Sequence, residues 1–146
     1  MRILVFGLPG SGKTTFARQL SIGYAYFNAD EVRKMFNDWD FSIEGRLRQA
    51  NRMASQEYGI LDFICPLEKT RSIVNPDSII YMDTIQKSLH EDTNKIFEKP
   101  NTDLRITQWI PQSQLHSSLE GFSPGIKGIQ NYLDGPLRRL VKSLSY

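Results

Sequence analysis

One cysteine, Cys65, and two histidines, His90 and His116, are all the chain holds of those residue types. That scarcity excludes an internal disulfide framework and a cysteine-rich zinc site, and it leaves little for a histidine-based metal centre. A reducing, cytoplasmic setting is expected. An excess of one charge is missing too. With 18 Lys and Arg against 16 Asp and Glu, the formal charge is +2, so nothing suggests binding to nucleic acid or membrane mainly by long-range charge. No run approaches the roughly 20 apolar residues of a membrane span. A strand-like segment begins at Arg2, so neither a signal peptide nor a membrane partner is expected.

What the sequence does hold is enough apolar material, 40% of 146 residues, for one compact domain spanning 1–146. Short apolar runs rich in β-formers recur at Ile3–Phe6, Tyr24–Phe27, Ile60–Ile64, Ile79–Met82 and Leu104–Trp109. Such runs fit strands buried on both faces. Helical stretches lie between them at Lys13–Leu20, Asp30–Phe36, Ile43–Tyr58 and Leu67–Ile73. The expected class is α/β, with a mainly parallel sheet of about five strands. After Trp109 the composition shifts to Gln, Ser, Gly and Pro, and helical spacing returns only at Ile129–Leu133 and Pro136–Leu144. Residues 108–146 read as an appendage or a closing helix. Within them GFSPGIKG, Gly121–Gly128, reads as a flexible loop.

The strongest motif is GLPGSGKTT, Gly7–Thr15, which matches G-x-x-x-x-G-K-[ST] directly after one predicted strand and at the start of a helix. Gly7, Pro9, Gly10, Ser11 and Gly12 form a loop whose backbone N–H groups can curl around phosphate, aided by the helix N-terminus. Lys13 supplies a point charge for the β- and γ-phosphates. Thr14 is placed to ligate Mg²⁺, and Thr15 supports the helix start. ATP with Mg²⁺ is therefore the expected cofactor. The short chain lacks a guanine-reading NKxD motif, which favours a small kinase over a motor or signalling GTPase.

In YFNADEVRKMF, Asp30 falls at the carboxyl end of the second strand, where α/β sheets place ligands, and Arg33 follows one helical turn later. Asp30 could accept the proton of an attacking hydroxyl or orient Mg²⁺ through water, while Arg33 could pair with an anionic acceptor group. The alternative makes Asp30 a helix N-cap. In FSIEGRLRQANR, Ser42 reads as an N-cap, and Arg46, Arg48 and Arg52 cannot all share one helix face. Cys65 reads as packed rather than reactive. Asp83 could meet Mg²⁺ through water or cap a following helix.

Together these motifs resemble the adenylylsulfate kinases, which make 3′-phosphoadenylylsulfate from ATP and adenylylsulfate. The family's D-G-D-N-x-R is matched by Asn28–Arg33, with its first Asp lost and Asp30 and Arg33 kept. Its F-S-x-x-x-R-x-x-N is matched by Phe41, Ser42 and Arg46, with Gln49 for the final Asn, and its F-I-S-P becomes Phe63-Ile64-Cys65-Pro66. The strand IIYMDT, Ile79–Thr84, and the lid-like EDTNKIFEKP, Glu91–Pro100, also have counterparts. The resemblance implies a P-loop NTPase three-layer α/β/α fold, Asp30 as catalytic carboxylate, and Arg33 and Arg46 as a clamp on the acceptor. It implies that Gln49, Ile64 and Cys65 line the acceptor side, that Lys95 and Lys99 are lid cations over ATP, and that a homodimer forms. No exposed apolar stripe marks an interface in the sequence.

The resemblance spans roughly residues 1–107. The family's acceptor-covering segment between lid and last strand is missing, which keeps other acceptors open: a different small molecule, a nucleoside, or a modified nucleotide in DNA. A nucleotide-binding module without catalysis is the reading from another class.

Overall fold

Strand β1 (Arg2–Phe6) runs through the centre of a five-stranded, wholly parallel sheet of order β2-β3-β1-β4-β5, with β2 at Tyr26–Asn28, β3 at Gly59–Asp62, β4 at Ser78–Met82 and β5 at Arg105–Ile106. The computed structural model describes residues 1–21, 25–100, 102, 104–122 and 126–144. Register pairs Ile3 with Ile60 and Ser78, and Leu4 with Leu61 and Ile79. Successive side chains of a strand point to opposite faces. On β1, Ile3 and Val5 accordingly join one apolar cluster, while Leu4 and Phe6 join another on the far face. Both faces are covered, which is why β1 is an unbroken apolar run rather than an alternating one.

The first face is covered by α1 (Lys13–Leu20), through Phe16, Ala17 and Leu20, and by the C-terminal helices. These are α6 (Gln112–Ser118), α7 (Ile126–Tyr132) and α8 (Arg138–Leu144); their Leu115, Ile129 and Val141, with Leu133 and Leu137 of the turn between α7 and α8, are buried with the β1 residues. Residues 108–146 therefore pack on the sheet as far as they are described. Pro136 does not open a helix. It sits inside a π-helical turn, Leu133–Leu137, that joins α7 to α8. The wider turn accommodates a residue that cannot donate a backbone N–H. The predicted loop Gly121–Gly128 is shorter than expected, because α7 already begins at Ile126, while 123–125 lie outside the described residues.

The second face carries α2 (Ala29–Phe36), α3 (Ile43–Ala54) and α4 (Glu68–Val74), which bury Ala29, Val32, Ala50, Met53 and Val74 against Leu4, Phe6 and Leu61. Helix α3 stops four residues before the predicted Tyr58, capped by the Ser55 backbone N–H. Its start is as expected, with the Ser42 hydroxyl accepting the Gly45 N–H at 3.2 Å. A short α5 (Glu91–Ile96) follows β4, and after it Phe97 stacks on Phe6 with ring centroids 5.1 Å apart. Strand β5 has two residues where six were predicted, because the chain leaves the sheet at Thr107. The start of the predicted second strand, Tyr24, lies outside the described residues.

Between Met35 and Ile43 the surface differs from expectation. Met35, Phe36, Trp39, Phe41 and Ile43 are all exposed. The sequence hides this patch because its residues bridge the end of one helix and the start of the next, where no single period applies. Among the described residues no helix is long and apolar enough to cross a membrane.

Candidate active site

The loop from Leu8 to Gly12 turns between β1 and α1 with Gly10 at φ +87° and Gly12 at φ +91°, conformations that favour glycine. The Ser11 N–H donates to the Leu8 carbonyl at 3.1 Å, and the Thr84 hydroxyl donates to the Ser11 carbonyl at 2.7 Å, so the end of β4 holds the loop in place. Ser11 is buried, and its Oγ has no hydrogen-bond partner among the described residues. Gly12 caps α1 without any side-chain hydrogen bond. The first N–H groups of the helix are thus left for a ligand. Trp109, just past β5, covers Gly12 closely: a Cβ on that glycine would stand 2.4 Å from the indole ring.

Asp62 ends β3 beside this loop and was not singled out in the sequence. Its Oδ2 accepts from Thr14 Oγ1 at 2.7 Å, Tyr26 OH at 2.6 Å and Asn28 Nδ2 at 3.0 Å. Its Oδ1 is buried, has no hydrogen-bond partner among the described residues, and lies 4.0 Å from Lys13 Nζ. In the sequence Asp62 falls inside the predicted strand Ile60–Ile64; in the structure the strand is Gly59–Asp62, ends on this carboxylate and pairs with the P-loop strand β1.

Asn28 also caps α2, its side chain accepting the Glu31 N–H at 3.1 Å. Asp30 is therefore not the cap. It stands exposed in the first turn of α2 and lines a cavity with Lys13, Arg33, Phe41, Arg46 and Asp62. Arg33 and Arg46 are buried, their guanidinium carbons 4.4 and 5.4 Å from the Phe41 ring centroid. Arg33 Nη1 donates to the carbonyls of Asp38 and Asp40 at 2.9 and 3.1 Å. Arg46 Nε donates to the Phe41 carbonyl at 2.9 Å, and its Nη2 contacts Thr93 and Asp92 at 3.3 and 3.4 Å. Burial lowers both guanidinium pKa values; the carboxylate of Asp38 works against that shift at Arg33, and that of Asp92 at Arg46. Arg33 keeps Nε and Nη2, and Arg46 keeps Nη1, without a protein partner among the described residues. Two buried cations with spare donors in one cavity suit an anionic group.

Of the residues singled out in the sequence, the cavity gathers Lys13, Asp30, Arg33, Arg46 and Ile64. Others stand apart. Gln49 is buried and ties α3 to α2, donating to the Ala29 carbonyl at 2.7 Å. Cys65 is fully buried at φ +44°, its thiol on the Thr70 hydroxyl at 3.4 Å and its carbonyl held by Arg71 at 2.9 Å. Lys95 and Lys99 are exposed and do not line the cavity, because Arg46 and the Phe97 stack draw the α5 segment toward α3 and β1. Thr15 is exposed on α1. Asp83 caps no helix; Arg105 bonds it at 2.8 Å and Tyr81 OH at 3.1 Å. Arg48 and Arg52 turn away from the cavity and pair with Asp38, at 3.1 and 2.9 Å.

No family model and no curated protein matches the chain. Solved structures do. The APS kinase CysC of Mycobacterium tuberculosis, in complex with AMPPNP and APS, superposes with a TM-score of 0.62 at 19% identity over 82% of this chain and 95% of that one. A sugar kinase from Janibacter sp. HTCC2649 gives 0.61 at 17% identity, covering 94% and 96%. Shikimate kinase from Aquifex aeolicus gives 0.54 at 17%, covering 83% and 97%. The fold is that of the P-loop kinases.

Proposed function

We propose that the chain is a kinase that transfers the γ-phosphoryl group of MgATP to a hydroxyl of a small acceptor bearing an anionic group. The observation that carries this reading is the single cavity in which the P-loop Lys13 and Asp62 face Asp30, Arg33 and Arg46. The loop N–H groups and Lys13 hold the triphosphate. A divalent cation suits the buried Oδ1 of Asp62, which accepts no hydrogen bond among the described residues, and the lone pairs of the Thr14 hydroxyl, whose proton already goes to Asp62. When bound, Mg²⁺ neutralises charge on the β- and γ-phosphate oxygens.

Arg33 and Arg46 fix the acceptor by its anion, with the Phe41 ring that both guanidiniums lie against as an apolar wall. The acceptor hydroxyl oxygen forms a bond to the γ-phosphorus as the bond from that phosphorus to the β–γ bridging oxygen breaks. ADP leaves with the electron pair, and the hydroxyl proton goes to the Asp30 carboxylate. Positioning and charge neutralisation supply most of the acceleration in such a transfer.

Adenylylsulfate is the first acceptor to test, since it offers anionic groups and a ribose hydroxyl together. ADP release from MgATP is measured with and without it, using Lys13→Ala as control. A rise that vanishes in the variant supports the adenylylsulfate kinase reading. A second reading, in which the hydroxyl belongs to a nucleoside or to a modified nucleotide in DNA, rests on exposed Trp39, whose ring offers a face for stacking a base, in the segment that leads to Phe41 of the cavity. ADP release with a panel of such acceptors separates the two. If ATP binds and no acceptor changes release, a non-catalytic nucleotide-binding role takes their place.

A further inference from the structure

We propose that Tyr26 is a positioning residue that fixes the Asp62 carboxylate for the metal of the nucleotide, an inference that rests on the MgATP reading above. Strands β2 and β3 are in register with Asn28 opposite Asp62 and Tyr26 opposite Ile60. Residues two apart on a strand share a face, so Tyr26 and Asn28 reach the same carboxylate from one side. The phenol is the closest of the three donors to Oδ2, at 2.6 Å, and Asn28 Nδ2 also lies 3.3 Å from the phenol oxygen.

Three donors crowd Oδ2 while Oδ1 has none among the described residues. A carboxylate oxygen offers about two lone-pair directions, so Oδ2 is saturated and the group cannot turn about its Cβ–Cγ bond without losing these bonds. Oδ1 is thereby held toward Lys13 and the cavity. Asn28 serves both places at once, its Nδ2 donating to Oδ2 while its Oδ1 caps α2. The Tyr26 ring packs against the core cluster that holds Ile3 and Ile60, with the Arg18 guanidinium 5.9 Å from its centroid, while its O–H bonds the carboxylate and the Asn28 amide and is the part that Tyr26→Phe removes.

Tyr26→Phe in the full chain removes the O–H and keeps the ring. Calorimetry of ATP binding is run with EDTA and again with Mn²⁺, and kcat and KM are followed against Mn²⁺ concentration. The expected result is metal-free ATP affinity within about twofold of the parent, with the Mn²⁺-dependent gain in affinity reduced roughly tenfold. A merely structural tyrosine would shift both affinities together. Equal Mn²⁺ dependence in parent and variant overturns the inference and leaves the kinase reading intact, whereas a parent that binds no nucleotide overturns both. Should the variant fail to fold, the parent alone decides: Mn²⁺ added to its ATP complex should perturb a tyrosine in the ultraviolet difference spectrum, and an unchanged tyrosine signal overturns the role.

Discussion

Thr14 Oγ1 donates to Asp62 Oδ2 at 2.7 Å, joining the P-loop to the end of β3 across 48 residues of sequence. The bond fixes the direction of the hydroxyl proton and so leaves the oxygen lone pairs of Thr14 for a cation. Asp62→Asn keeps an acceptor for Thr14 and Tyr26 but removes the charge. The expected outcome is a fall in kcat of about 10²-fold or more, with Tm changed little, because loss of one group aimed at transition-state charge has effects of that size. Steady-state kinetics with a thermal melt check it; unchanged kcat would remove Asp62 from the machinery.

Gly12→Ala adds a methyl that meets the Trp109 ring at 2.4 Å and places a side chain at φ +91°. Both effects oppose the loop conformation, and destabilisation of about 1–3 kcal/mol is expected, together with loss of ATP binding. Removing the indole should relieve only the first. In a double-mutant cycle, Gly12→Ala should cost less stability in a Trp109→Ala background, by roughly 0.5 kcal/mol or more. Strict additivity of the two melts would show that the indole does not press on Gly12.

On the acceptor side, Arg33→Lys and Arg46→Lys keep a positive charge but lose the planar fork. Each should raise the acceptor KM roughly tenfold or more while the ATP KM moves less than about twofold. Initial rates over a grid of both substrates provide the test. An equal rise in both KM values would mean that the two arginines merely brace the Asp38–Phe41 loop whose carbonyls they hold.

How much of this was legible in the sequence follows from the range of each interaction. The P-loop and the central strands were readable because they are local: a glycine pattern at fixed offsets, or four apolar residues in a row at Ile3–Phe6. Arg33 follows from its place one helical turn after Asp30, Arg46 only from the resemblance to the adenylylsulfate kinases, and both reach the cavity. Asp62 is not marked because it falls inside the predicted strand Ile60–Ile64, whereas the strand ends on it and the fold places it beside Thr14. Gln49 and Cys65 fail to reach the cavity for a related reason. The Gln49 amide nitrogen is taken by the Ala29 carbonyl and the Cys65 thiol by Thr70, contacts that no periodicity announces. The π-helical turn at Pro136 is a further case, since a proline in a helical pattern ordinarily signals a start or a stop.

Cys65 yields a prediction about pH. Burial pushes its thiol from the ordinary value of 9.0 up to about 12, with Thr70 and Arg71 only partly opposing the shift. The folded chain thus keeps the proton that the unfolded chain releases first. Between about 9 and 12 the unfolded state binds fewer protons, so stability falls as pH rises through that window, and below it the contribution is fully present. Two outcomes are expected. An uncharged thiol reagent at pH 8 should label the denatured chain rapidly and the native chain only at its rate of opening, because the thiolate is the nucleophile. In Cys65→Ala the decline in Tm from pH 9 to pH 11 should be shallower than in the parent, despite a lower Tm at neutral pH from the lost packing. Rapid native-state labelling at pH 8 would place the thiol in contact with solvent and return Cys65 to the acceptor side of the site.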